Sequence, residues 1–319
     1  MLSRAADNLY WMSRYLERAE HTARLIDVDV QLRLDQSPDA SSVRSTRLHE
    51  ALQVPVPPVD TPYAHSLAHT LTFDRANSSS IVSCIAAARE NLRHVREQCS
   101  TEMWEQLNQL YLQMRSTTLE EAWLAQSHQF YRSVQDGANL FHGITDSTMT
   151  HSEGWHYIQL GRYVERTDEL AALIGSHFRR FPHALDQAVE SEEYLEWVAL
   201  LKSCTAFLPY CKTYTAEMRP LRVAEFLLLN SEFPHSVRFS VDMVHVALRA
   251  LGEFTERKAE QPLRLAGRLR ATLSFTQIDE ILLSGAAAYL ENIRSQCSQI
   301  HSAIHQVYFD YLVDTAMAS

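Results

Sequence analysis

The stretch LYWMSRYLERAEHTARLI at 9–26 returns as YIQLGRYVERTDELAALI at 157–174, at a constant offset of 148 (162 − 14). Arg14, Tyr15, Glu17, Arg18, Leu25 and Ile26 recur as Arg162, Tyr163, Glu165, Arg166, Leu173 and Ile174, and Glu20 becomes Asp168. A second anchor follows in the same order. LTFDRANSSSIVS (71–83) matches LLLNSEFPHSVRFS (227–240) at an offset of 156 (236 − 80), pairing Ser80 with Ser236 and Ile81 with Val237. The offset grows by eight (156 − 148), the size of one loop insertion. Two ordered anchors predict a duplicated unit with its boundary near residue 150, giving halves 1–150 and 151–319. Duplicated helical units need not be separate domains and can share one continuous core.

The first anchor is helical by its spacing. Leu2, Ala5, Leu9, Met12, Leu16, Ala19, Ala23 and Ile26 alternate steps of three and four, the a/d stripe of a bundle helix. A second helix opens at NSSSI (77–81), where Asn or Ser can cap the first turn, and runs through Ile81, Ile85, Ala88, Leu92, Val95 and Cys99. Helical patterns resume at Trp104–Met114, Leu119–Val134, Trp155–Phe178, Tyr194–Tyr214, Val223–Leu229, Ser236–Phe254, Leu263–Leu273 and Ile278–Leu312. Between 33 and 62 the pattern dissolves, and the prolines of VPVPPVDTP (54–62) predict a linker. No segment alternates with period two. Glycine, which turns and hairpins consume and helices avoid, occurs only eight times in 319 residues. The expected fold is an all-α helical bundle of two duplicated multi-helix units, with no significant sheet.

Composition narrows the function classes. A net charge of −10 opposes nucleic-acid binding, because phosphate contacts need a concentrated basic surface. Five scattered cysteines form neither a disulfide framework nor a zinc ribbon. The N-terminal residues carry charges and no apolar signal region, and no apolar run approaches the ~18 residues that span a bilayer. The expected setting is cytoplasmic, away from the membrane.

The repeated Arg-Tyr-x-Glu-Arg motif has two readings. With Leu2 at heptad position a, Arg14 falls at f, Glu17 at b and Arg18 at c, off the apolar stripe. An ordinary solvated face, laced by i,i+3 and i,i+4 ion pairs of about 0.2–0.5 kcal/mol, is the plain reading. Against it, Tyr10 and Trp11 share the face, as aromatics do where a surface is covered. The motif is also identical in both copies while the stripe changes, Leu9 against Tyr157 and Ala19 against Thr167. Arg supplies a planar donor fork and Glu its acceptor, so the set Trp11, Arg14, Glu17, Arg18, Arg162, Glu165, Arg166 and Asp168 reads as a fixed polar network. It either locks helices together or grips a carboxylate or phosphate; the structural role comes first, because such networks are common.

Other chemistry finds little support. No glycine precedes a lysine, so no phosphate-cradling loop is present, and neither G-x-S-x-G nor H-E-x-x-H occurs. Glu17-x-x-Glu20 and Glu165-x-x-Asp168 give carboxylates at i,i+3, but helical di-metal sites use Glu-x-x-His, and here His21 lies at i+4 with Glu169 opposite it in the second copy. The flanking arginines compete for the same carboxylates, so neither metal nor cofactor is expected. His65/His69 and His301/His305 read as ordinary surface or half-buried histidines. The helix start at Ser79 and Ser80, followed by Arg89, Arg93 and Arg96, is a weak anion site that plain capping explains equally well.

At these residues the chain resembles the bacterial alpha-E family: MLSRAADNLYWMSRYLERAEHTARLIDV at the start, NSSSIVSCIAAARENLRHVRE (77–97) with MWEQLN (103–108), and TMTHSEGWHYIQLGRYVERTDE (148–169). The similarity covers essentially the whole chain. One departure is NSSS at 77–80, where relatives tend to have Asn-Pro-Ser-Ser. The resemblance implies an all-helical protein travelling with circularly permuted ATP-grasp proteins and transglutaminase-like proteases, in systems that form or trim amide bonds on peptides. On that basis the expected partner is a circularly permuted ATP-grasp protein, together with a peptide substrate. The alternative is an enzyme that uses the paired Arg/Glu clusters, with or without a metal, for amide chemistry.

Overall fold

The computed structural model describes residues 1–33, 46–54, 69–118, 127–181, 189, 191–215, 217–254 and 260–309. Every regular element among them is helical, and none is a strand. The long helices are α1 (Ser3–Arg33), α2 (Ile81–His94), α3 (Thr101–Ser116), α4 (Ser127–Thr148) and α5 (Glu153–Arg180). They are followed by α6 (Ser191–Ser203), α7 (Phe207–Tyr214), α8 (Pro220–Leu229), α9 (Val237–Phe254), α10 (Glu260–Phe275), α11 (Ile278–Ser284) and α12 (Ala286–Ile304). Ser80 caps α2, its hydroxyl accepting from the Ser83 amide, and Ser236 does the same for α9 through the Phe239 amide. Two predicted long helices are broken. Thr205, at φ 53°, separates α6 from α7, and Gly285, at φ 89°, separates α11 from α12, where a side chain would be strained.

Helix pairing runs the same way in both halves. In the first, α1 packs on α2 and α4, and α3 bridges those two. In the second, α5 packs on α9 and α12, and α10 bridges them. α1 and α5 then pack along each other, and one apolar core runs from Ala6 to Phe309 through both halves. The approach of α1 to α5 depends on small residues at their crossing. A side chain at Gly161 would run into the Tyr10 carbonyl oxygen and the Cβ of Ser13, and Ser13 itself is fully buried. Ser13 and Gly161 are the same position of the two repeats, separated by 148 (161 − 13).

The apolar stripe needs correction at both of its limits. Leu2, its first member, is 79% exposed, because the helix contacts that cover α1 begin further along. From Leu9 to Asp29, α1 is buried or half-buried on every side, since helices from both halves surround it. The off-stripe face is therefore inside the protein. The expected linker is also partly ordered: residues 46–52 are helical, burying Leu48 and Ala51, and Arg47 donates to Glu196 at 2.5 Å. Residues 34–45 and 55–62 of the linker, the 119–126 part of one predicted helix, and His65 lie outside the described residues. Among the described residues no helix is long and apolar enough to cross a membrane.

Candidate functional site

The two motif copies exchange partners across the α1–α5 contact. Glu165 on α5 accepts from Arg14 Nε at 2.5 Å and Arg18 Nε at 2.6 Å, both on α1. Glu17 on α1 accepts from Arg166 Nε at 2.5 Å and Nη2 at 3.0 Å, with Arg162 Nε 3.7 Å away. Each helix thus gives a carboxylate and takes two guanidinium groups. The spacing makes this possible: i and i+3 or i+4 project from one helix face, so Arg14 and Arg18 reach the same point on α5. Burial would raise both carboxyls, but the paired arginines win and hold Glu17 well below, and Glu165 below, the usual range. Both remain ionised acceptors. Breaking a buried pair of this kind leaves an uncompensated charge and costs about 3–5 kcal/mol.

Further side chains close around each copy. Arg14 lies over the Trp11 ring at 4.8 Å, and its Nη1 meets His301 Nδ1 at 3.1 Å. Tyr10, also fully buried, meets the same nitrogen at 2.8 Å, and Trp11 Nε1 donates to His305 Nε2 at 3.3 Å. His142 on α4 faces Glu17 at 3.7 Å. Burial and the neighbouring arginines lower His142 and His301 each to about 4. Asp168 accepts from Arg294 on α12 at 3.0 Å, whereas its counterpart Glu20 stays on its own helix and accepts from Arg24 at 2.8 Å. The eight predicted network residues therefore converge, with Asp168 and Trp11 at the edges. His142 escaped the sequence reading, and His301 and His305, read there as ordinary surface or half-buried histidines, are half-buried against Tyr10, Arg14 and Trp11. The signal for His142 and His301 was present: LFHGI (140–144) and QIHSAI (299–304) place a histidine after an apolar residue at a further offset of 159 (301 − 142).

The copies differ beside the arginines. Next to Arg18 lies a cavity of about 770 Å³, walled by Arg18, Glu165, Asp168 and Glu169 on one side and by Asp74, Asn77, Ser78 and Ser79 on the other. Next to Arg166 the chain closes in: Pro234 takes an Nη1 hydrogen bond on its carbonyl at 3.2 Å, and His235 follows it. By the offset of 156 (235 − 79), Pro234 and His235 hold the positions of Ser78 and Ser79. His21, the counterpart of Glu169, is buried, with its pKa lowered to about 3 by burial and Arg24. Glu169 goes the other way. Burial, then Glu165 and Glu17, raise its carboxyl well above the ordinary range, and its Oε2 is buried without a hydrogen-bond partner.

The helix-start residues divide between two roles. Ser80 is fully buried as the cap, while Ser79 lines the cavity. Arg89, Arg93 and Arg96 do not join them. Arg89 donates to Asn108 at 2.7 Å, Arg93 pairs with Glu90, and Arg96 lies over Trp104. Among the described residues, no three or more His, Cys, Asp and Glu side chains are placed to hold a metal ion.

A family model described as "a predicted alpha-helical domain with a conserved ER motif" matches residues 1–309. The chain belongs to the Alpha-E family. The two E-R dipeptides of the repeated motif, Glu17-Arg18 and Glu165-Arg166, pair reciprocally, Glu17 with Arg166 and Glu165 with Arg18. Similar proteins are uncharacterized proteins of Mycobacterium bovis and of two Mycobacterium tuberculosis strains, CDC 1551 and H37Rv. Each is 23% identical over 99% of this chain, and the chain spans 37% of their length. No solved structure matches it.

Proposed function

We propose that the chain is a cytoplasmic helical binding module, an accessory component of a bacterial amide-bond-forming peptide-modification system acting with a circularly permuted ATP-grasp protein. Its halves, 1–150 and 151–319, are in this reading copies of one duplicated unit. The observation that carries it is the internal use of the motif charges. Glu17 and Glu165 are held ionised by buried arginines, so they make poor proton donors or acceptors near neutral pH and good struts. What remains open is the cavity beside Arg18, a place to hold a ligand. The chain has no phosphate-cradling glycine loop, so any ATP site belongs to the partner. Relatives that carry this module as 37% of a longer chain support a unit that works beside others.

The test is co-expression with the neighbouring ATP-grasp gene, purification of the complex, and mass spectrometry for new amide bonds on peptides. Co-purification with no turnover by the isolated chain is expected; a chain with no affinity for that partner overturns the reading. One observation favours the enzyme alternative, namely the unpaired, proton-holding Glu169 in the cavity wall. In that case peptide turnover by the isolated chain would vanish in Glu169→Gln, whereas Glu17→Gln and Glu165→Gln would lower melting temperature first.

A further inference from the structure

The cavity wall is dipolar, and the polarity can be read from unmet hydrogen bonds. Arg166 spends Nε, Nη1 and Nη2 on Glu17 and the Pro234 carbonyl. Arg18, its counterpart, spends Nε on Glu165, and its Nη groups have no hydrogen-bond partner among the described residues. The Arg18 side chain is 24% exposed, toward the cavity it lines. Two donor groups thus stand open on one side, and the hydroxyl-bearing Ser78 and Ser79 line the same space.

The opposite polarity belongs to Glu169. Its buried Oε2 lacks a donor, although it lines the same cavity. Of the charges that act on it most, Glu165, Glu17 and Asp168 favour a cation beside it and Arg18 opposes one. An ammonium placed there takes the place of the proton that Glu169 holds and satisfies the open oxygen. In the second copy both features are gone, because His21 replaces Glu169 and the Pro234 carbonyl occupies the arginine. Polar atoms without partners occur beside Glu17 as well, at Arg162 Nε, His142 Nε2 and His235 Nδ1, but none of those residues lines the cavity.

We propose that the cavity beside Arg18 binds an α-amino-acid-type group, the free amino end of a short peptide, with its ammonium on Glu169 and its carbonyl or carboxylate oxygen on the Arg18 Nη groups. A volume of about 770 Å³ is within the range of small-molecule sites. The assignment deepens the proposed function and rests on its reading of the chain as a binding module. Ser79 acts as the gate by size: a larger residue there would close the space as His235 does on the other side.

The experiment uses the full chain and a panel of the twenty Xaa-Ala dipeptides, read by thermal shift and then by calorimetric titration of the best binder. At least one dipeptide should raise the melting temperature in a concentration-dependent way. N-acetylation of that dipeptide should weaken binding tenfold or more, and Glu169→Gln should do the same without lowering the ligand-free melting temperature. Ser79→His should abolish binding while the chain stays folded. Absence of binding across the panel, or equal binding of the acetylated form, overturns the inference. Co-purification with the ATP-grasp protein alongside a silent panel removes this inference and leaves the proposed function standing. Dipeptide binding without co-purification does the reverse to the partner.

Discussion

The ion-pair centre around Glu17 and that around Glu165 use the same residues in the same order, yet one is sealed and the other borders a cavity. Around Glu17, every nitrogen of the Arg166 guanidinium donates a hydrogen bond, His21 and His142 are buried, and the Pro234–His235 turn packs beside them. Around Glu165, Arg18 keeps unused donors and Glu169 keeps an unused acceptor. The difference comes from neighbours outside the motif. Both centres hold polar atoms without partners, but only those beside Arg18 belong to residues that line the cavity.

The largest effect expected is from acid, and it should fall unequally on the two centres. His21 is lowered to about 3 and His142 and His301 to about 4, so the unfolded chain takes up protons at these histidines before the folded one does. Their contribution is fully present above the unfolded value near 6.5 and is lost as pH falls toward 4. Glu17 and Glu165, also lowered, extend the loss below the ordinary carboxylate range. Urea unfolding at successive pH values should show a steady decline across this window. His142→Asn and His301→Asn should flatten it to a similar extent, and His21, also at the sealed centre and lowered further, makes the loss there the larger.

Next in size are the carboxylates. Glu17→Gln leaves Arg166 and Arg162 buried without a counter-charge and should cost about 3–5 kcal/mol in equilibrium unfolding. Glu165→Gln should cost less, about 2–3 kcal/mol, because water in the cavity reaches Arg18. Equal losses would erase the distinction between the centres. Below these comes His235→Ser, which removes an imidazole from the sealed side; a loss of roughly 1–3 kcal/mol is expected, with new accessibility of Arg166. The smallest effect has the opposite sign. Glu169→Gln removes a buried carboxyl that ionisation penalises, and should raise stability at neutral pH by about 1 kcal/mol. The folded state holds this proton more tightly than the unfolded one, so the gain should appear only as pH rises above the unfolded carboxyl value.

What the sequence determined by itself was local and periodic. Spacings of three and four marked the helices, scarce glycine excluded a sheet-rich fold, Ser80 and Ser236 marked two helix starts, and two offsets marked the repeated motif. Periodicity reports how one helix divides its faces, and it assigned the motif charges to the face away from the apolar stripe. Only the tertiary structure decided what covers that face, because a contact between residues 14 and 165 leaves no periodic trace in either helix. The small pair Ser13 and Gly161 brings α1 and α5 close enough for the exchange, and α1 is then enclosed on sides that a surface helix would leave to water. The cavity was illegible for the same reason. Its walls come from α1, α5, residues 51–54 and the segment 70–79 before α2, which are brought together only in the fold, and the positions of Ser78, Ser79 and Glu169 are held by Pro234, His235 and His21 at the other centre.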